Sequence, residues 1–343
     1  MTADWTLTRR RLGVMAAAGL IAPSAAAQAS GVALDVDQAE AALAILDALN
    51  AGRPLGETDW RRLFESAGHH RLKAREASLG RAFSDDDMRA FLTAPESRAR
   101  AADLRRTLAA WRETPVDGAA ALARAYLPPG TTLRATVFPV IKPKANSFVF
   151  DLKGDPAIFL HLDPKVSAAK ARNTMAHELH HIGMGAVSRI ANPPGTPPGV
   201  AQLRRWTSGF GEGLAMLAAA GGPDIHPHAV SEPAERAEWD ANAARFPELL
   251  AEQDAFFLRV LDGTAGEAAA VDARMTGYFG TQGAWYTVGW RMAVTVERAL
   301  GRPRLIAAFR DGWVLAAYNT AAARTDLPRW TPRLAAAITP ASA

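Results

Sequence analysis

Thr174-Met-Ala-His-Glu-Leu-His-His-Ile-Gly183 is the stretch on which the reading of this chain turns. It holds the pattern His-Glu-x-x-His as His177, Glu178 and His181. On a helix, residues four apart lie about 40° apart around the axis and about 6 Å along it. Both imidazoles therefore leave one face at the separation that two ligands of a single zinc ion require. Glu178 leaves the flank, where its carboxylate reaches a water on the metal rather than the metal. Zinc lowers the pKa of such a water towards neutrality, and the carboxylate takes its proton as it attacks a carbonyl carbon. His180 is offset by about 100° from its neighbours and is expected in packing or in support of the ligands.

The surrounding residues predict the helix. Ser167-Ala-Ala-Lys-Ala-Arg-Asn-Thr-Met-Ala176 leads into the motif, and Leu179 and Ile182 give it a buried face. Asp163-Pro164 offers a start, and Gly183 or Gly185 an end. Two histidines do not hold a catalytic zinc, so a third ligand must come from elsewhere. The metzincin continuation is excluded, because Met184 and Val187 stand where it needs Gly and His. Glu212 is the candidate, in Phe210-Gly-Glu-Gly-Leu-Ala-Met-Leu-Ala-Ala-Ala220, with Glu232 and Glu235 as substitutes. An acidic residue between two glycines, opening an apolar run, reads as a side chain turned into a confined space. The glycines are expected to let the backbone approach the motif helix. The plainer reading is a helix-start carboxylate favoured by the macrodipole.

His177-Glu178-x-x-His181 followed by Glu212-Gly213-x-Ala215 resembles the gluzincin peptidases, and most nearly bacterial families of zinc-dependent peptidases of unknown substrate. Those families also carry a Tyr-x-x-Gly segment, matched here by Tyr286-Thr-Val-Gly289. The resemblance extends over residues 145–320. It implies one zinc ion per chain on His177, His181 and Glu212, Glu178 as general base, and a peptide or protein substrate. Glu212 lies 31 residues beyond His181, with a Pro/Gly-rich insertion between, which departs from the best-known gluzincins. No thermolysin-type or exopeptidase substrate motif is matched, so the resemblance speaks to chemistry rather than to substrate. Tyr286 reads in two ways, as a phenol that hydrogen-bonds the oxyanion of a tetrahedral intermediate or as a buried helix-start aromatic. Arg291, a turn and a quarter later, is expected to face Glu212 or a substrate carboxylate.

Outward from the motif, residues 1–29 read as a targeting segment. Thr8-Arg-Arg-Arg-Leu-Gly13 resembles the twin-arginine export pattern; the apolar run Val14–Ala22, Pro23 and small residues follow. That run is too short for a comfortable membrane span, so a periplasmic or secreted enzyme without stable membrane insertion is expected. Removing residues 1–29 takes away three Arg and one Asp, so the formal charge falls from +4 to +2. The basic residues are dispersed, which argues against nucleic acid as a partner. Cysteine is absent, which removes disulfides, thiolate ligands and cysteine nucleophiles together.

The fold class expected is α+β, mostly α. It combines a helical N-terminal region (30–128) with a zincin-like domain (129–335), whose small sheet covers the motif helix and whose C-terminal part is helical. Helices are expected over Val36–Leu49, Trp60–Phe64, from Ser84, and over Leu104–Trp111; His69-His70 and the acidic triplet Asp85-Asp-Asp87 can be read as a second metal site, but are placed on solvated helix ends. Strands are expected in Thr131–Ile141, Ser147–Leu152 and Ala157–Leu162, the last as the edge that receives an extended peptide. Ile190-Ala-Asn-Pro-Pro-Gly-Thr-Pro-Pro-Gly199 is a loop near the cleft mouth. His226 and His228 are placed in an exposed loop. From Glu232 onward the expected helices are Glu232–Leu261, Ala265–Phe279, Trp285–Leu300 and Pro303–Ala323. A hydrolase of peptide bonds is the reading adopted. Its rivals are an amidase on a non-peptide amide and a non-catalytic zinc-binding or scaffold protein, which an intact Glu178 disfavours.

Overall fold

The computed structural model describes residues 31–340 except Lys153, so the targeting segment at 1–29 lies outside the described residues. A short strand, β1 (Gly31–Leu34), precedes seven helices: α1 (Asp37–Asn50), α2 (Glu57–Phe64), α3 (Ala67–Ser78), α4 (Asp85–Thr93), α5 (Pro95–Ala99), α6 (Ala101–Arg112) and α7 (Val116–Arg124). In α1, Ala39, Ala42, Leu43, Ile45 and Leu46 recur at helical spacing and are all buried, forming the stripe that holds it to the core. The start of α4 is a reciprocal cap. Ser84 Oγ accepts from the Asp87 N–H, and the Asp87 carboxylate accepts from the Ser84 N–H at 2.7 Å.

Strands β2 (Arg134–Val140), β3 (Phe148–Phe150) and β4 (Ala157–His161) complete a mixed sheet of order β1-β2-β4-β3. The first three strands in that order run parallel, and β3 pairs antiparallel to β4. The molecule is thus α+β and mostly α. The expected edge strand is corrected: β4 lies inside the sheet, with Phe138 opposite Phe159 on one side and Phe148 opposite it on the other. Its first four residues are all buried, the mark of a strand covered on both faces. Ile158 and Leu160 face a core shared with α1, α6 and α7, whereas Ala157 and Phe159 face Leu72 of α3. Alternate residues point to opposite faces. The edges are β1 and β3.

Next comes α8 (Ala168–Val187), the motif helix. Ser167 Oγ caps it by accepting from the Lys170 N–H at 3.1 Å. It runs on through Gly183 and Gly185 rather than ending there. At Gly183 the side chains of Leu127 and Leu133 press onto the helix, where an added Cβ would overlap them. Buried Ala171, Met175, Ala176, Leu179 and Ile182 tie α8 to the sheet-side core.

The rest is helical: α9 (Pro198–Thr207), a 3₁₀ turn at Ser208–Phe210, α10 (Gly211–Ala220), α11 (Pro233–Ala244), α12 (Phe246–Leu261), α13 (Ala268–Gly277), α14 (Ala284–Leu300), α15 (Arg302–Arg310), α16 (Val314–Ala322) and α17 (Pro332–Ile338). The stretch expected as one helix over 232–261 breaks at Arg245, because Pro247 sits in the first turn of α12 and cannot continue a ladder. That over 303–323 breaks at Gly312, whose φ of 79° lies in the left-handed region. Trp285, Val288 and Met292 of α14 pack with Phe210, Leu214 and Phe257 into a second core. Among the described residues, no helix is long and apolar enough to cross a membrane.

A candidate metal centre

The two cores meet along α8 and α10. Leu214 and Leu217 of α10 belong to the helical core, Ala219 belongs to the sheet-side core, and Met184 of α8 packs against both. At this seam α8 presents His177 and His181, and α10 presents Glu212. Glu212 Oε2 lies 3.1 Å from His177 Nε2 and 3.1 Å from His181 Nε2, and the two Nε2 atoms are 3.0 Å apart. The imidazole planes are 81° apart. Nitrogen and oxygen ligands at about 2.0–2.1 Å from a tetrahedral zinc would be separated by about 3.3 Å. The triangle is within a few tenths of an ångström of that, so the residues present fit the ion. These three are the group of His and acidic side chains whose ligand atoms converge among the described residues.

Of the three candidates for the third position, Glu212 is the one brought to the histidines. Glu235 accepts from Lys170 Nζ at 2.9 Å, and Glu232 is an exposed residue at the start of α11. Charge explains how the triangle holds together. Burial opposes the imidazolium of His181, but the charge of Glu212 and its hydrogen bond outweigh it and raise the His181 pKa above its ordinary value. Burial likewise opposes the Glu212 carboxylate, and His181 and His177 outweigh it and hold it well below the carboxylate range. A carboxylate drawn to both histidines at 3.1 Å in a half-buried seam forms with them a preorganised donor set.

Around the triangle, Glu178 is half-buried and has no hydrogen bond or ion pair among the described residues. Its charge nonetheless reaches both His181 and Tyr286. The Tyr286 ring stacks over His177 at 6.4 Å between centroids and 17° between planes. Burial, then the charges of Glu212 and Glu178, push its phenol pKa up and keep the proton on. His180 is buried and contacts the Tyr126 carbonyl oxygen at 3.2 Å through Nε2. Burial pushes its pKa down to about 3, so it packs as a neutral imidazole.

The close approach assigned to the glycines of α10 is real but faces another partner. Gly213 meets α14, where an added Cβ would lie 2.6 Å from Gly289 Cα and nearer still to the Trp290 nitrogen. Gly289 in turn abuts Phe210, at 2.6 Å from its carbonyl oxygen for an added Cβ. Backbone contact between α10 and α14 brings the helix that carries Glu212 against the helix that carries Tyr286, and the charge and a hydrogen bond of Glu212 both act on the phenol.

Other expectations are corrected. Arg291 does not face Glu212; it lines a separate cavity with Arg298 and Arg324. His69 is buried rather than solvated, with Nε2 3.1 Å from Asp85 Oδ1, whereas His70 is exposed. His228 is also buried. It lies beside Trp239 and in a cavity next to His177, while His226 pairs with Asp240 at 2.8 Å. That cavity includes Lys170, Asn173 and Thr174, which sequence reasoning passed over. The signal was present, since these positions lie seven, four and three residues before His177 and so share its face. Gln282 lines it too, with φ of 53°. Backbone strain of this kind collects at functional sites.

Residues 60–326 match the family described as "Putative zinc dependent peptidase (DUF5700)". No curated protein and no solved structure matches the chain.

Proposed function

Because the chain belongs to this zinc-dependent peptidase family, we propose that it is an exported hydrolase that cleaves peptide bonds, with one zinc ion held by His177, His181 and Glu212. The convergence of those three ligand atoms beside an unpaired Glu178 is the observation that carries the reading. The bound ion supplies Lewis acidity and a water acidified to near neutrality. Glu178 takes the proton of the attacking water and passes it to the departing amine. Tyr286, holding its proton, donates a hydrogen bond to the substrate oxygen as negative charge builds on it. Twin arginines at Arg9-Arg10 ahead of an apolar run support export, and a cysteine-free chain that binds metal through His and Glu suits an oxidising compartment.

Metal content tests the reading. The mature protein is expected to retain about one zinc per chain after dialysis, by mass spectrometry, and Glu212→Ala to weaken zinc by at least about 100-fold. Zinc held unchanged by Glu212→Ala would move the third ligand elsewhere, and no zinc after reloading would favour a scaffold protein. Tyr286→Phe is expected to keep the metal and lower kcat by about 10- to 100-fold with little change in KM. An unchanged kcat would leave Tyr286 a packing residue.

A further inference from the structure

One face of α8 runs through the whole site. Lys170, Asn173, Thr174 and His177 line a cavity of about 380 Å³, and His181, Met184, Gly185 and Ser188 line another of about 190 Å³. These residues recur every three or four positions, so they form a single stripe with the ligand pair in its middle. From Lys170 to Ser188 the stripe is about 27 Å long at 1.5 Å per residue. An extended peptide of about eight residues, at about 3.3 Å each, spans that length.

The two cavities differ in chemistry. Beside His177 the walls carry Lys170, Asn173, His228 and Gln282 around Trp239 and Met216. Lys170 is already engaged there by Glu235 and Ser231. Beside His181 the space is lined by the apolar Met184, Ile190, Phe309 and Val314 and by the small hydroxyl residues Ser188, Thr207 and Ser208, and no Lys, Arg, Asp or Glu lines it. Ile190 begins the Pro/Gly-rich loop and also packs at Gly312, so that loop forms one rim. At about 190 Å³ the cavity is smaller than the usual 300–1,000 Å³ cleft for a drug-sized ligand, and suits one side chain. Two helix glycines border it, Gly185 and Gly211, and a Cβ added at either meets nothing within 4 Å. Space at these positions is open where Gly183, on the same helix as Gly185, is closed by Leu127 and Leu133.

We propose that the cavity beside His181 is the subsite for an aliphatic or aromatic side chain next to the cleaved bond, in a peptide lying along α8 and cut internally. The inference rests on the peptidase reading above. Burying such a side chain favours it over glycine by about 10- to 100-fold. Internal cleavage follows from wall on both sides of the triangle: chain extends past the metal in either direction.

Two measurements on the zinc-loaded protein separate this inference from the reading beneath it. Peptides blocked at both ends are digested and their cut sites read by mass spectrometry. In parallel, calorimetry measures the binding of peptide hydroxamates that carry Gly, Ala, Leu or Phe next to the zinc-binding group. Internal cuts beside apolar residues are expected, with Leu or Phe hydroxamates binding at least about tenfold more tightly than Gly. Gly185→Leu, with zinc content and melting temperature as checks on its fold, should abolish that advantage. Cuts without side-chain preference, cuts confined to unblocked termini, or a preference intact in folded Gly185→Leu would overturn the proposal while hydrolysis stands. No cuts at all, with the hydroxamate preference present and lost in Gly185→Leu, would uphold the side-chain pocket and remove the peptidase reading instead.

Discussion

Glu178→Gln is expected to lower peptide hydrolysis by about 10²- to 10⁴-fold while zinc content stays at the wild-type level. The two halves of that outcome come from different observations. Glu178 is not among the three residues whose ligand atoms converge, so its replacement leaves the donor set intact. It is half-buried and without a hydrogen-bond or ion-pair partner among the described residues, so no structural contact is lost with its charge. Glutamine keeps the size and the polarity of the side chain and removes its capacity to take up a proton together with the charge that reaches His181 and Tyr286. A thousandfold loss corresponds to about 4 kcal/mol of transition-state stabilisation. It should appear in kcat, with KM changed little, because the proton moves only as the bond is attacked. Steady-state kinetics on a blocked peptide, with zinc measured on the same sample, checks both halves. Hydrolysis within threefold of wild type would assign the proton transfer to another residue, and loss of zinc together with activity would make Glu178 a ligand.

The motif helix and the common face of its two histidines were legible because they depend on local spacing alone. A period of 3.6 places His177 and His181 on one face whatever the rest of the chain does. Glu212 was legible for a different reason, since an acidic residue flanked by glycines at the head of an apolar run is unusual for a surface helix. What could not be read depended on partners in other elements of the fold. Strand β4 looked like an edge because its neighbours on both sides, β2 and β3, are fixed by long-range register rather than by its own composition. Four residues sufficed for β1, and they gain strand character by pairing with Arg134–Val137 a hundred positions later. His69 looked solvated because the carboxylate it meets, on Asp85, belongs to the next helix. His228 looked solvated because Trp239, which covers it, lies on α11.

Gly213→Ala is expected to destabilise the protein by about 3 kcal/mol or more and to weaken the metal site with it. The methyl group would overlap the Trp290 nitrogen and lie 2.6 Å from Gly289 Cα. Both are backbone atoms, so no rotamer change relieves the clash, and α10 and α14 must move apart. Glu212 is carried by one of these helices and Tyr286 by the other, so separation displaces the Glu212 carboxylate relative to the phenol that stacks on His177. Gly211→Ala is the control. It changes the same residue type in the same helix, two positions earlier, where an added Cβ meets nothing within 4 Å. Its expected effect is neutral or stabilising by about 0.5–1 kcal/mol, since alanine loses less backbone entropy on entering a helix. Melting temperatures of the metal-free and zinc-loaded forms are the measurement: Gly213→Ala should melt several degrees below wild type in both, and Gly211→Ala at or above it. Helix propensity alone ranks the two substitutions as equally favourable. A large fall for one and none for the other can therefore arise only from the backbone contact between α10 and α14, and equal melting temperatures would show that this contact does not position the site.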